Sequence, residues 1–406
     1  MPMRDPFFER VRDGEWNACV GTQGFELNYV EGFLDAAAIV ADALVDGEMF
    51  GGRDTLAMPI LYNARHGLEL ALKFVIGSLA RSGMIADRPG DPDHDIFAYW
   101  EHLDAQSVPD HRSRELVTKL RPFVVSLDAI DKNGGELRYF ENRDGRRSLG
   151  RNPTIHLKLV RANVHRLKSL VRALTDRVEG LEVEWPTGTF TKLLSRTDLV
   201  EVAKMLGPRS TWTEADFDDR RKAVKVRFGI GNGPLTEAIN TIERSGELGV
   251  HLGKLSRPEH LTGERLIELA DLWLAAHPPR QGDGKVAFLT SQDISQLLEN
   301  GLPEQAKLDQ MVLERFSLEE VADAETLYYV GTVPLLGEEY EAKLRSVLAQ
   351  HEVASKAQGS RWDKVHHIMS KTSFLAGLMR GLRRTGSPDM ADAISELAEA
   401  TTSKRD

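Results

Sequence analysis

The chain has 406 residues, of which 41% are hydrophobic and 28% charged, with a formal net charge of −10. That is chain enough for two domains with buried cores, and the acidic balance excludes a protein whose whole surface coats nucleic acid. The single cysteine, Cys19, excludes an internal disulfide and points to a reducing compartment. The early charges of Met1-Pro2-Met3-Arg4-Asp5 do not read as a secretory signal. No run approaches the ~18 apolar residues of a membrane helix. A cytoplasmic protein without a membrane partner or cofactor is expected.

In chain order, Phe25, Tyr29, Phe33, Ala36, Ala37, Val40 and Leu44 recur at helical spacing and predict a first helix over 25–44. Asp46-Gly47 and Gly51-Gly52 make a turn. A central helix follows over 59–82, with Pro59 in its first turn, where the missing N–H costs nothing. Leu61, Leu68, Leu72, Val75 and Leu79 face one side of it, and Leu70, Ala71, Phe74 and Ile76 add a second apolar face. Arg65, Glu69 and Lys73 stack on one side at i, i+4, i+8, so the favoured reading is an ion pair inside a bundle. A ligand pocket at Arg65, His66 and Glu69 is the weaker reading.

Asp93 or Asp95 caps a third helix whose stripe is Ile96, Tyr99, Trp100 and Leu103. A fourth helix is predicted over 114–130, then an extended piece over 136–140, a turn at Asn142-Arg143-Asp144-Gly145, and a long helix from Pro153 or Thr154 to 177. Trp185-Pro186-Thr187-Gly188 reads as a domain boundary. Beyond it, helices are predicted over 193–206, 235–244, 264–276, 294–298, 324–329, 338–350, 362–382 and 390–400. Val224-Lys225-Val226-Arg227-Phe228 alternates as a strand does.

The run Arg65-His66-x-x-Glu69-Leu70-x-Leu72-Lys73, then His94-Asp95 opening the next helix, then Leu137-Arg138-Tyr139, together resemble the HEPN superfamily of small helical bundles. The resemblance spans residues 25–180. It implies a mainly α fold with a HEPN-like helical bundle over 1–185; the helical pattern beyond the boundary predicts a second, mostly helical domain over 190–406, of unassigned role. The resemblance also implies a setting in prokaryotic anti-phage defence or toxin–antitoxin systems.

Arg151-Asn152-Pro153-Thr154-Ile155-His156 resembles the Arg–polar–His motif of the nucleolytic members of that superfamily. In those proteins two such helices meet across a homodimer and form one metal-independent RNA-cleaving site. The residue types suit the chemistry. A histidine near neutral pKa can move the 2′-OH proton or protonate the leaving oxygen. An arginine offers a planar fork to the scissile phosphate, and Asn152 can orient either. Arg146, Arg147, Lys158 and Arg161 add a local basic cluster suited to a nucleic-acid backbone, or to a solvated face paired with acids elsewhere. Aromatic residues are sparse in this cluster, so base stacking on single strands finds little support in the sequence.

Pro153 inside the motif, and Lys158 where many nuclease members carry Tyr, keep a second reading open. That alternative is a non-catalytic helical scaffold or ligand sensor, with residues 190–406 holding a protein partner. A second Arg/His spacing, Arg361 and His366, ranks lower. Phe228-Gly229-Ile230-Gly231-Asn232-Gly233-Pro234 departs from a dinucleotide fingerprint and reads as a plain turn. No metal-ligand spacing is present in the sequence.

Overall fold

The computed structural model describes residues 7, 14–20, 24–90, 93–141, 147–149, 154–277, 304–356 and 360–403. The chain is mainly α-helical, and no strand occurs among these residues. None of their helices is long and apolar enough to cross a membrane. The chain forms two compact units, Met1–Val183 and Glu184–Asp406.

In the first unit α1 (Glu26–Asp46) packs on α2 (Arg53–Arg81), and α2 packs on α3 (Ile96–Ala105) and α4 (His111–Ile130). Then α5 (Leu157–Glu184) lays Val164, Leu167, Val171, Leu174, Val178 and Leu181 into the same core. The buried face of α1 is Val30, Leu34, Ala37, Ala38, Ala41 and Leu44, one residue on from most of the expected stripe, and Phe25 and Tyr29 stay exposed. Small residues explain the choice. The alanines of α1 and Gly67 of α2 let the helices approach so closely that a Cβ at Gly67 would lie 2.7 Å from Leu34 Cγ.

Pro59 lies inside α2 rather than in its first turn. The helix opens earlier because Arg53 and Thr55 side chains bond the carbonyls of Phe50 and Gly52. Trp100 Nε1 donates to Val117 O at 2.8 Å and ties α3 to α4. Asp110 caps α4 through Ser113 N at 2.7 Å, and Arg177 of α5 reaches the same carboxylate at 2.8 Å.

The second unit has two apolar cores. The first lies among α6 (Arg196–Leu206), α7 (Phe217–Phe228), α8 (Asn232–Arg244) and α9 (Gly246–Gly249). The second lies among α10 (Gly263–Ala276), α11 (304–315), α12 (Leu318–Thr332), α13 (Tyr340–Ser355), α14 (Ser360–Met369), α15 (Phe374–Arg384) and α16 (Pro388–Ser403). Arg196 joins them, reaching Glu247 at 2.6 Å and Glu338 at 3.1 Å. Burial works against its charge, but Glu338 and Glu247 outweigh burial and hold its pKa above the ordinary value.

Several expectations are corrected. The segment 224–228 is the last turn of α7, not a strand. Val224 and Phe228, four apart, are buried, while Val226 is 76% exposed, so the burial period is helical despite the alternation. Gly229 (φ 65°) then closes α7 in the left-handed region, and the glycine-rich run turns one helix into the next. Residues 136–140 form turns rather than an extended piece. The single helix expected over 362–382 is two, α14 and α15, broken at residues 370–373, where no apolar residue faces a core. The helix over 304–315 was not expected, although Leu308, Val312 and Phe316 keep a four-residue period and are buried. The segment 294–298 lies outside the described residues.

Candidate functional site

The site begins with a buried cation. Arg65 is 2% exposed and is the largest fully buried side chain. Its Nε donates to Asp131 O at 2.6 Å, its Nη1 to Glu69 Oε2 at 3.0 Å, and its Nη2 to His94 O at 2.6 Å and Lys132 O at 3.1 Å. Glu69 also takes Lys73 Nζ at 2.7 Å and His94 Nδ1 at 2.9 Å. Burial raises the Glu69 pKa, but the hydrogen bonds from Lys73, His94 and Arg65 outweigh it and hold the carboxyl below its ordinary value. Burial, the largest influence, lowers the His66 pKa. Glu69 opposes that shift, and the Arg65, Lys73 and His94 charges add to it. The His66 ring stacks on Tyr62 and meets the edge of Phe33. The expected ion pair is present, and Arg65 and Glu69 are buried in a shared hydrogen-bonded network.

That network positions a turn. Asp131 carries its buried carboxylate to the N–H groups of Gly135 (2.8 Å), Glu136 (3.0 Å) and Leu137 (3.3 Å). Gly134 (φ 72°) fits against the Arg65 guanidinium, where a Cβ would come to 3.3 Å. Leu137 is buried, and the next three residues, Arg138, Tyr139 and Phe140, project to the surface.

These side chains line an open cleft of about 1300 Å³. Phe50 enters it from the turn just before α2, Arg53 from the start of α2, Arg147 from the segment after residue 141, and His156 and Lys158 from the start of α5. The cleft also holds Glu48, Asp54 and Glu136. Glu136 Oε2 accepts from Leu149 N at 3.4 Å. Among the described residues, Arg53, Arg138, Arg147 and Lys158 have no carboxylate partner. Glu48 (φ 48°) and Leu149 (φ 58°), both in the wall, hold left-handed backbones that L-residues rarely adopt. Such strain collects at functional sites.

His156 is exposed and sits one residue before α5, its carbonyl accepting from Leu159 N and Val160 N at 3.0 Å. The structure thus brings His156, Arg147 and Lys158 into one cleft. Arg146, Arg151 and Asn152 lie outside the described residues. Arg161 is not brought there. Its guanidinium pairs with Asp46 and Asp42 of α1. His165 also takes Asp42, and Lys168 takes Asp35 at 2.5 Å. Of the expected cluster, Arg161 is therefore paired with α1, while Arg147 and Lys158 stay in the cleft.

Phe50, Arg53, Tyr139 and Phe140 were missed as site residues. A signal was present: aromatics beside arginines at 50/53 and 138–140. The pair Arg361/His366 is structural: Arg361 donates to Phe316 O at 3.0 Å and His366 Nδ1 meets buried Asp309 at 2.7 Å. Asp95 caps α3, accepting from Ala98 N at 2.9 Å, beside the His94 ring on Glu69.

A pH dependence follows from α2. A folded-state pKa below the ordinary 6.5 for His66 means the unfolded chain takes up a proton that the folded chain refuses. Stability should fall as pH drops below that value. The lowered Glu69 pKa adds stability that is full above 4.5 and is lost as pH falls through its folded value. Melting temperature against pH should therefore decline first with His66 and then with Glu69. The variant His66→Gln is expected to flatten the upper limb; an unchanged limb would show that His66 does not drive it.

No protein-family model, curated protein or solved structure matches this chain.

Proposed function

We propose that this chain is a HEPN-type RNA-cleaving effector acting as a homodimer. The observation that carries the reading is His156, exposed at the start of α5, in a cleft shared with Arg53, Arg138, Arg147 and Lys158. In this reading the RNA 2′-oxygen attacks phosphorus and the bond to O5′ breaks. One His156 takes the 2′-OH proton, and His156 of a second copy returns a proton to the leaving O5′. The products are a 2′,3′-cyclic phosphate and a 5′-hydroxyl. Arg151 neutralises the phosphate as charge builds on it, and Asn152 orients either group. The defence or toxin setting belongs to the same proposal and predicts growth arrest on expression.

The test is expression of the wild type, Arg151→Ala and His156→Ala in bacteria, with total RNA examined for fragments ending in cyclic phosphate. Wild-type cleavage that falls by about a hundredfold or more in each variant is expected. If both variants cleave as the parent does, the assignment is wrong.

One observation favours the second reading, a non-catalytic helical scaffold. The α5 cations Arg161 and Lys168 already have carboxylate partners on α1 and are less available to phosphate. A folded wild type that leaves RNA intact and arrests no growth would support it.

A further inference from the structure

We propose that Tyr139 and Phe140 are base-stacking residues for a single-stranded RNA, with Arg138 and Arg147 on its backbone. This deepens the RNA reading above and rests on it. The two rings are 61% and 71% exposed, an unfavourable placement for adjacent aromatics unless something covers them. They are not on a loose segment. The buried Leu137 and the three N–H bonds to Asp131 anchor one flank. Ser148 N donates to Phe140 O at 2.9 Å, and the backbones of Glu141 and Arg147 form an antiparallel bridge on the other flank.

Each ring carries a cation: the Arg138 guanidinium lies 5.3 Å from the Tyr139 centroid and that of Arg147 5.4 Å from Phe140. Aromatic faces paired with guanidinium groups match what an unpaired nucleotide offers, a π-face beside a phosphate. A duplex keeps its base faces stacked internally, so these rings can reach only unpaired bases. The rings and His156 line the same cleft, which places the bases next to the scissile phosphate of the proposed reaction.

The charge balance of the cleft sharpens the expectation. Among the described residues, Arg53, Arg138, Arg147 and Lys158 face Glu48, Asp54 and Glu136, a narrow excess of cations. Stacking must then supply much of the affinity.

The experiment uses the full chain carrying His156→Ala and a fluorescein-labelled, unstructured 12-nucleotide RNA, read by anisotropy, against a duplex of the same length. The single strand is expected to bind at least tenfold more tightly than the duplex. Tyr139→Ala and Phe140→Ala should each weaken single-strand binding by about tenfold, and Phe140→Trp should restore it. Melting temperature should be unchanged, because both rings are exposed. Equal single-strand affinity with and without the rings overturns the stacking proposal and leaves the ribonuclease reading standing. Ring-dependent binding with no cleavage by the wild type supports stacking and removes the ribonuclease reading. A parent that binds no RNA overturns both.

Discussion

Replacing Arg65 by alanine is expected to destabilise the first unit by about 3–5 kcal/mol, the loss that follows removal of one partner from a buried ion pair. The substitution deletes bonds to three carbonyls, those of Asp131, His94 and Lys132, and to the Glu69 carboxylate. Glu69, 1% exposed, would keep only Lys73 and His94. Lysine should not rescue the site. Its ammonium is a single point charge and cannot reach four acceptors in the fork geometry of a guanidinium. For a unit of this size the loss corresponds to a fall of roughly 10 °C in melting temperature, measurable by calorimetry on the full chain. A change under about 2 °C would show that the network is not what holds these segments together. Because Asp131 organises the turn that presents Tyr139 and Phe140, the same variant should weaken the proposed RNA binding without touching a residue of the cleft.

Gly381→Ala should destabilise the second unit by about 3 kcal/mol, at the upper end of overpacking effects. A Cβ at Gly381 would fall 1.9 Å from Leu327 O, and one at Gly331 would fall 2.0 Å from Gly377 O. The obstructing atoms are backbone, so no rotamer change relieves the clash. Helices α12 and α15 would have to separate, opening the core around Phe374, Leu378 and Leu327. Gly32 of α1 gives the opposite sign: beyond its chain neighbours and its own helix backbone, nothing lies within 4 Å of its Cβ position. There, alanine removes only the helix penalty of glycine, a gain of about 0.5–1 kcal/mol. The two variants should shift melting in opposite directions. If Gly381→Ala melts as the parent does, the close approach of α12 and α15 is not required for stability.

Much of the fold was legible because helices declare themselves locally. The stripe Ile96–Tyr99–Trp100–Leu103 is buried as its spacing implied. The failures came where a local pattern fits two periods. Val224 to Phe228 satisfies alternation and a four-residue period at once, and only the packing of Val224 and Phe228 decided between them. Leu308, Val312 and Phe316 carried a readable period that was passed over.

By itself the sequence determined the helical class and the Arg65–Glu69 ion pair four residues apart; it opened α5 at 153 or 154, whereas the helix begins at Leu157, one residue after His156. Each depends on residues within a turn or two of one another. Tertiary structure decided which cations remain available. Asp35, Asp42 and Asp46 on α1 meet Lys168, His165 and Arg161 on α5, more than a hundred residues away. It also brought Phe50, Arg53, Arg138, Tyr139 and Phe140 to the cleft of His156. Pairings of that kind follow from how one helix is seated against another, which no local period encodes.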